Sequence, residues 1–182
     1  MTATIQHKDL ARRIADACVL HGEFTLRSGR TSKYYVDKYR FSTNPHLLDA
    51  VGGLLADRID AVEGGIARLA GAELGGIPLV TVAGLETGLP TVFVRNAKKD
   101  YGTAKQLEGE LNAGDRVVFL EDVATTGGQA GEAVEALRAA GADVRAVIAV
   151  IDRQEGAREN VEALGCDFVA LFTKADLGID DA

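Results

Sequence analysis

The chain has 182 residues, 47% hydrophobic and 26% charged, with a formal net charge of −7. That length suits one sizeable domain, the acidic balance argues against a nucleic-acid surface, and no apolar run approaches the roughly 20 residues that span a bilayer. The opening MTATIQHKDLARR lacks the apolar core of a signal peptide. Cys18 and Cys166 are too few for a disulfide framework and lack metal-site spacing. A cytoplasmic protein without membrane or nucleic-acid partners is expected, and a local basic pocket on the acidic body still allows a small anionic ligand.

In chain order, His7 to Leu20 reads as an amphipathic helix with Leu10, Ile14, Ala17 and Cys18 on one stripe, and Gly22 is expected to stop it. FTLRSGRTSKYYVDKYR reads as two short strands around a Ser-Gly-Arg turn. Pro45 opens a second helix running to about Ile59. Short apolar runs then alternate with helical stretches. The runs are IARLA (66–70), TVFV (91–94), RVVFLE (116–121), VRAVIAVI (144–151) and FVALF (168–172), with helices near 76–87, 128–140 and 155–164. Runs apolar at nearly every position suit strands buried on both faces of a parallel sheet. The expected fold is therefore α/β, a parallel sheet flanked by helices, in one domain. Its first sixty residues are read as a small cap over one edge of the sheet, residues 61–173 as the core and 174–182 as a tail. His7, His21 and His46 fall in helices or at their ends and are assigned surface or capping roles; Cys18 reads as core.

Ligands of open α/β sheets bind outside the carboxyl ends of the strands. There IARLA leads into GAELGGIP, TVFV into Arg95, RVVFL into Glu121 and Asp122, and VRAVIAVI into Asp152 and Arg153. A polar site assembled from separate strands is expected. Its centre is RVVFLEDVATTGGQ, residues 116–129. Gly127 and Gly128 let backbone N–H groups converge on an anion, the helix that follows adds its positive end, and Thr125 and Thr126 can donate hydroxyl bonds. Together they form a cradle for a phosphate monoester. Neither GxxxxGK[ST] nor GxGxxG occurs. Acids beside such a cradle make sense if the ligand also offers sugar hydroxyls or a shared Mg²⁺. The plainer alternative is a solvated strand end and an ordinary turn.

VVFLEDVATTGG resembles the phosphoribosyl diphosphate (PRPP) signature of the type I phosphoribosyltransferases. FTLRSGRTSKYYVD (24–37), GAELGGIP (71–78) and VRNAKKDYG (94–102) are similar to segments of the orotate phosphoribosyltransferases within that family. The resemblance covers nearly the whole chain. It implies a type I fold with an N-terminal hood and Mg²⁺-dependent transfer of the phosphoribosyl group from PRPP to orotate, a step of UMP biosynthesis. It further implies that Glu121, Asp122, Val123, Ala124, Thr125, Thr126, Gly127, Gly128 and Gln129 bind PRPP, with Mg²⁺ held mainly by PRPP and shared by Glu121 and Asp122. Arg95 and Lys99 would act on the departing diphosphate with Tyr101 nearby, making Lys99, Arg95 and Asp122 the catalytic candidates. Thr125, Arg153, Arg27, Tyr34 and Tyr35 would bind orotate.

About twenty residues separate TVFV from RVVFLE, and Arg95, Lys98, Lys99 and Lys105 concentrate there. Such lengths usually mark lids or binding loops. The resemblance implies a mobile loop, residues 96–113, that reaches the partner subunit's site in a homodimer. Tyr101 and Asn96 stand where many relatives have His and Lys, Arg27 where some have Lys, and Leu74-Gly75 where some have Tyr-Lys. A diphosphate contact near 75 would then come from backbone N–H groups. Two competing readings are a purine-base phosphoribosyltransferase and a non-catalytic PRPP-binding transcription regulator.

Overall fold

Val117 to Leu120 are apolar at consecutive positions because the strand that carries them is covered on both faces. In the computed structural model, which describes residues 2–25, 31–96 and 106–179, that strand is β6 (Arg116–Ala124), at the centre of a six-stranded sheet. The other strands are β3 (Arg68–Ala72), β4 (Thr91–Val94), β5 (Leu107–Glu108), β7 (Asp143–Asp152) and β8 (Asp167–Thr173), in the order β5-β4-β3-β6-β7-β8. Every pairing is parallel except β4 with β5.

Alternation along β6 feeds two cores. Val118 and Leu120 pack with Leu69 and Ile148 against α1 (Thr2–Cys18), α3 (Pro45–Asp60) and α4 (Gly76–Thr87). Val117 and Phe119 pack with Val147 against α5 (Gly128–Ala139) and α6 (Ala157–Ala163). The result is a three-layer α/β/α arrangement, as the run pattern predicts. The Asn44 side chain starts α3 by accepting from the N–H groups of His46 and Leu47, at 3.0 and 3.3 Å. Among the described residues no helix is long and apolar enough to cross a membrane.

The N-terminal part differs from expectation in detail. Helix α1 ends at Cys18, and Gly22 does not stop it but lies inside β1 (Val19–Thr25). Antiparallel pairing with β2 (Thr31–Val36) claims Val19 and Leu20 for the strand, and the register slips between His21 and Phe24, where Gly22 accommodates the irregularity. A four-residue helix, α2 (Tyr39–Ser42), follows and buries Phe41 completely. His7 is not a surface or capping residue. Its Nε2 lies 2.8 Å from the Leu171 carbonyl and its ring stacks on Phe172, tying α1 to edge strand β8. His21 and His46 are exposed. Both cysteines are buried and free, and burial pushes the Cys18 thiol up to about 11.

The back part of the expected 96–113 loop is sheet. Leu107 and Glu108 pair with Val94 and Phe93, and the Arg95 N–H donates to the Gln106 carbonyl at 2.8 Å. Backbone pairing to the open edge of β4 satisfies groups that a loop would leave to water. Residues 97–105 of that segment lie outside the described residues.

Candidate active site

The apolar run of β6 ends at Leu120, but the strand continues, so Glu121 and Asp122 are drawn inside at 6% and 2% exposure. Two neighbouring carboxyls in a low-dielectric setting cannot both ionise cheaply. Burial first, and then the Asp122 charge, push Glu121 up to about 8. Asp122 has a cation. Lys38, two residues beyond β2, places Nζ 2.9 Å from Asp122 Oδ2 and 3.1 Å from Oδ1. Burial alone would pull this lysine down, but the Asp122 carboxylate outweighs it and holds the ammonium above its ordinary value. The Val123 N–H donates to Oδ1 at 2.6 Å, whereas Oδ2 faces the ammonium without a well-directed hydrogen bond.

The turn after β3 packs against the same carboxylate oxygen. A Cβ added at Gly75 would lie 1.5 Å from Asp122 Oδ2, so the carboxylate occupies the space of a side chain at 75. The same turn reaches β4: the Glu73 N–H donates to the Val94 carbonyl, and Glu73 Oε1 accepts from the Asn96 N–H at 2.7 Å.

Past Asp122 the chain turns through Thr125, Thr126 and Gly127 into α5. Gly127 has φ +78, a left-handed conformation that favours glycine. Its missing side chain also admits the Ala157 carbonyl, which a Cβ would meet at 3.2 Å. Asn160 on α6 donates through Nδ2 to the Thr126 carbonyl at 2.8 Å, bracing the turn from outside. The turn, Glu121, and the first residues of α5 enclose a cavity of about 170 Å³. The first N–H groups of α5 lack intrahelical partners, and two threonines stand beside them. This is an anion site built mainly from backbone.

A second cavity, about 230 Å³, adjoins the first and shares Val123, Thr125 and Gln129 with it. Tyr34, Tyr35, Val36, Lys38 and Arg153 complete its wall. Arg153 follows β7, with its N–H donating to the Ala124 carbonyl at 2.9 Å. Its guanidinium reaches the Tyr34 hydroxyl at 3.2 Å and Glu155 Oε1 at 2.9 Å, and its buried Nε has no hydrogen-bond partner among the described residues. A cation-bearing recess walled by two tyrosines suits a planar anion.

The structure thus gathers Glu121, Val123, Ala124, Thr125, Thr126, Gly127, Gly128, Gln129, Arg153, Tyr34 and Tyr35 around two joined cavities, with Asp122 beside them, bonded to Lys38 of the second cavity's wall. Arg95 stands at the neighbouring strand end, lining neither cavity, with its guanidinium 3.9 Å from Glu108. Arg27, Lys99 and Tyr101 lie outside the described residues. No cluster of three or more metal-ligating side chains occurs among the described residues. The sequence reading missed Lys38, Asn160 and Glu155. None of them belongs to a recognisable motif, and Lys38 and Asn160 reach the site from 84 and 34 residues away.

Residues 40–168 match the model of the phosphoribosyl transferase domain. The orotate phosphoribosyltransferase of Natronomonas pharaonis is 49% identical over 96% of this chain and 98% of its own. Among solved structures, the Mycobacterium tuberculosis orotate phosphoribosyltransferase in complex with Fe(III) dicitrate superposes with a TM-score of 0.85 at 33% identity, over 95% of this chain and 99% of its own. The same enzyme in complex with PRPP gives 0.81 at 31% identity, again over 95% and 99%.

Proposed function

The chain belongs to the phosphoribosyltransferase family, and from that premise we propose that it is an orotate phosphoribosyltransferase, forming orotidine 5′-monophosphate and diphosphate from orotate and PRPP within UMP biosynthesis. The observation that carries this reading is the continuity of the buried acid pair with the anion cradle, with a cation-bearing recess that shares Thr125 with the cradle.

Ala124 to Gly128 would clamp the 5′-phosphate through backbone N–H groups and the two threonine hydroxyls. Asp122 and Glu121 would face the ribose hydroxyls, Asp122 as acceptor. Orotate would lie in the second cavity between Tyr34 and Tyr35, with its carboxylate on Arg153, beside Thr125 and Arg27. The C1–O bond to diphosphate breaks as the bond from the pyrimidine nitrogen forms, and C1 carries cationic character between the two. This asks for alignment, charge complementarity and exclusion of water rather than for a protein nucleophile. Arg95, Lys99 and Tyr101 would meet the departing diphosphate.

An acid pair with one bonded ammonium, beside the anion cradle, is a donor set that would share a Mg²⁺ carried mainly by PRPP oxygens. When bound, the ion would supply charge neutralisation at the diphosphate. The same reading includes a homodimer, with the segment around Lys99 serving the partner's site, and a cytoplasmic setting.

The test is loss of orotate ultraviolet absorbance with PRPP and Mg²⁺. Turnover of orotate, with adenine and hypoxanthine inert, is the expected result. Turnover of a purine base without orotate would replace the reading by a purine phosphoribosyltransferase. PRPP binding without any turnover would favour a regulator.

A further inference from the structure

Lys38 follows the hairpin that walls the base cavity, yet its ammonium is bonded to the acid on the ribose side. Both Asp122 oxygens lie within 3.1 Å of Nζ. The same Oδ2 that faces the ammonium also fills the space of a side chain at Gly75, so close packing and the ion pair together restrain the carboxylate. Among the described residues, Lys38 is the one cation seen bonded to either acid of the pair. The lysine side chain remains one-third exposed (33%), towards the cavity it lines.

We infer that Lys38 is a positioning residue for phosphoribosyl binding: it fixes the Asp122 carboxylate in the orientation that receives the ribose hydroxyls, and it joins the base-side hairpin to the sugar-side strand. The inference rests on the reading of Asp122 as a ribose ligand. A carboxylate held before the ligand arrives loses less freedom on binding. Without Lys38, Asp122 would be a buried charge lacking its counter-ion, free to turn away.

The experiment is a double-mutant cycle read by calorimetric binding of PRPP in the presence of Mg²⁺, with melting temperatures to confirm folding. Lys38→Met should weaken PRPP binding about tenfold or more, as expected when a charged hydrogen-bonded partner is removed. It should also raise the KM for PRPP more than it lowers kcat, and Lys38→Arg should recover most of the loss. In an Asp122→Asn background, Lys38→Met should add less than about twofold, because its target is gone. PRPP affinity unchanged in Lys38→Met would overturn the inference, as would an equal loss in both backgrounds, which marks a merely structural lysine. Should Lys38→Met not fold, Lys38→Gln carries the same cycle with the same two overturning results. Wild-type protein that fails to bind PRPP would instead sink the underlying reading of the site, so the two failures are distinguishable.

Discussion

The two cavities meet at Thr125 but are built by opposite means. The first is lined by a turn and a helix start, and its character comes from N–H groups, the left-handed Gly127 and a carbonyl braced by Asn160. The second is lined by side chains drawn from a hairpin and from the end of β7. Backbone sites are insensitive to most side-chain exchanges and fail when a Cβ is forced into them. Side-chain sites can be retuned one residue at a time. A phosphate common to many substrates suits the first construction, and a base that differs between enzymes suits the second.

The contrast can be broken first at Arg153. Arg153→Ala should raise the KM for orotate by about 10- to 100-fold, the value of a charge-assisted hydrogen bond. PRPP affinity, measured by calorimetry, should stay within about twofold. A parallel loss of PRPP binding would show that the two cavities are energetically one.

An effect of intermediate size concerns Glu121, on the wall of the first cavity. Its carboxyl is raised from 4.5 to about 8 in the folded protein. The folded state therefore holds a proton that the unfolded chain gives up. Stability from this group is complete below pH 4.5, declines above it, and is lost as pH rises through 8. The slope is at most about 1.4 kcal/mol per pH unit. Melting temperatures of ligand-free, metal-free protein should fall between pH 6 and 9, and Glu121→Gln should flatten that fall. Parallel curves for the two proteins would remove Glu121 as the cause.

The smallest change sharpens the contrast from outside. Asn160→Ala removes one hydrogen bond to the Thr126 carbonyl and touches neither cavity directly. PRPP affinity should weaken by about 2- to 10-fold, in line with roughly 1 kcal/mol for a neutral hydrogen bond. The KM for orotate should hold steady. An orotate effect as large as the PRPP effect would contradict a turn braced for phosphate alone.

How much of this was readable in the chain follows from the same division. RVVFLEDVATTGGQ is contiguous, so strand, acid pair, turn and helix start could all be placed from local pattern, and α4 was placed to the residue at 76–87. The five apolar runs became β3, β4, β6, β7 and β8 because burial on both faces leaves an unmistakable composition. Where contacts span long separations, local pattern carried nothing. Lys38 looks like any charged residue after a strand, and Asn160 like any polar residue on a short helix. Edge strand β5 is only two residues long, too short for periodicity to register. Gly22 misled because glycine ends helices and also relaxes strand irregularities, and only the pairing with β2 decides between them.

The Asp122 oxygen lodged 1.5 Å from where a Cβ at position 75 would sit has a practical corollary for anyone redesigning this scaffold. Even alanine there requires the Asp122 carboxylate to shift, so a randomised library at that codon should be enriched in glycine. Larger residues, such as the lysine of some relatives, become admissible once that carboxylate turns aside. Libraries that vary position 75 alone and together with position 122 would separate the two contributions.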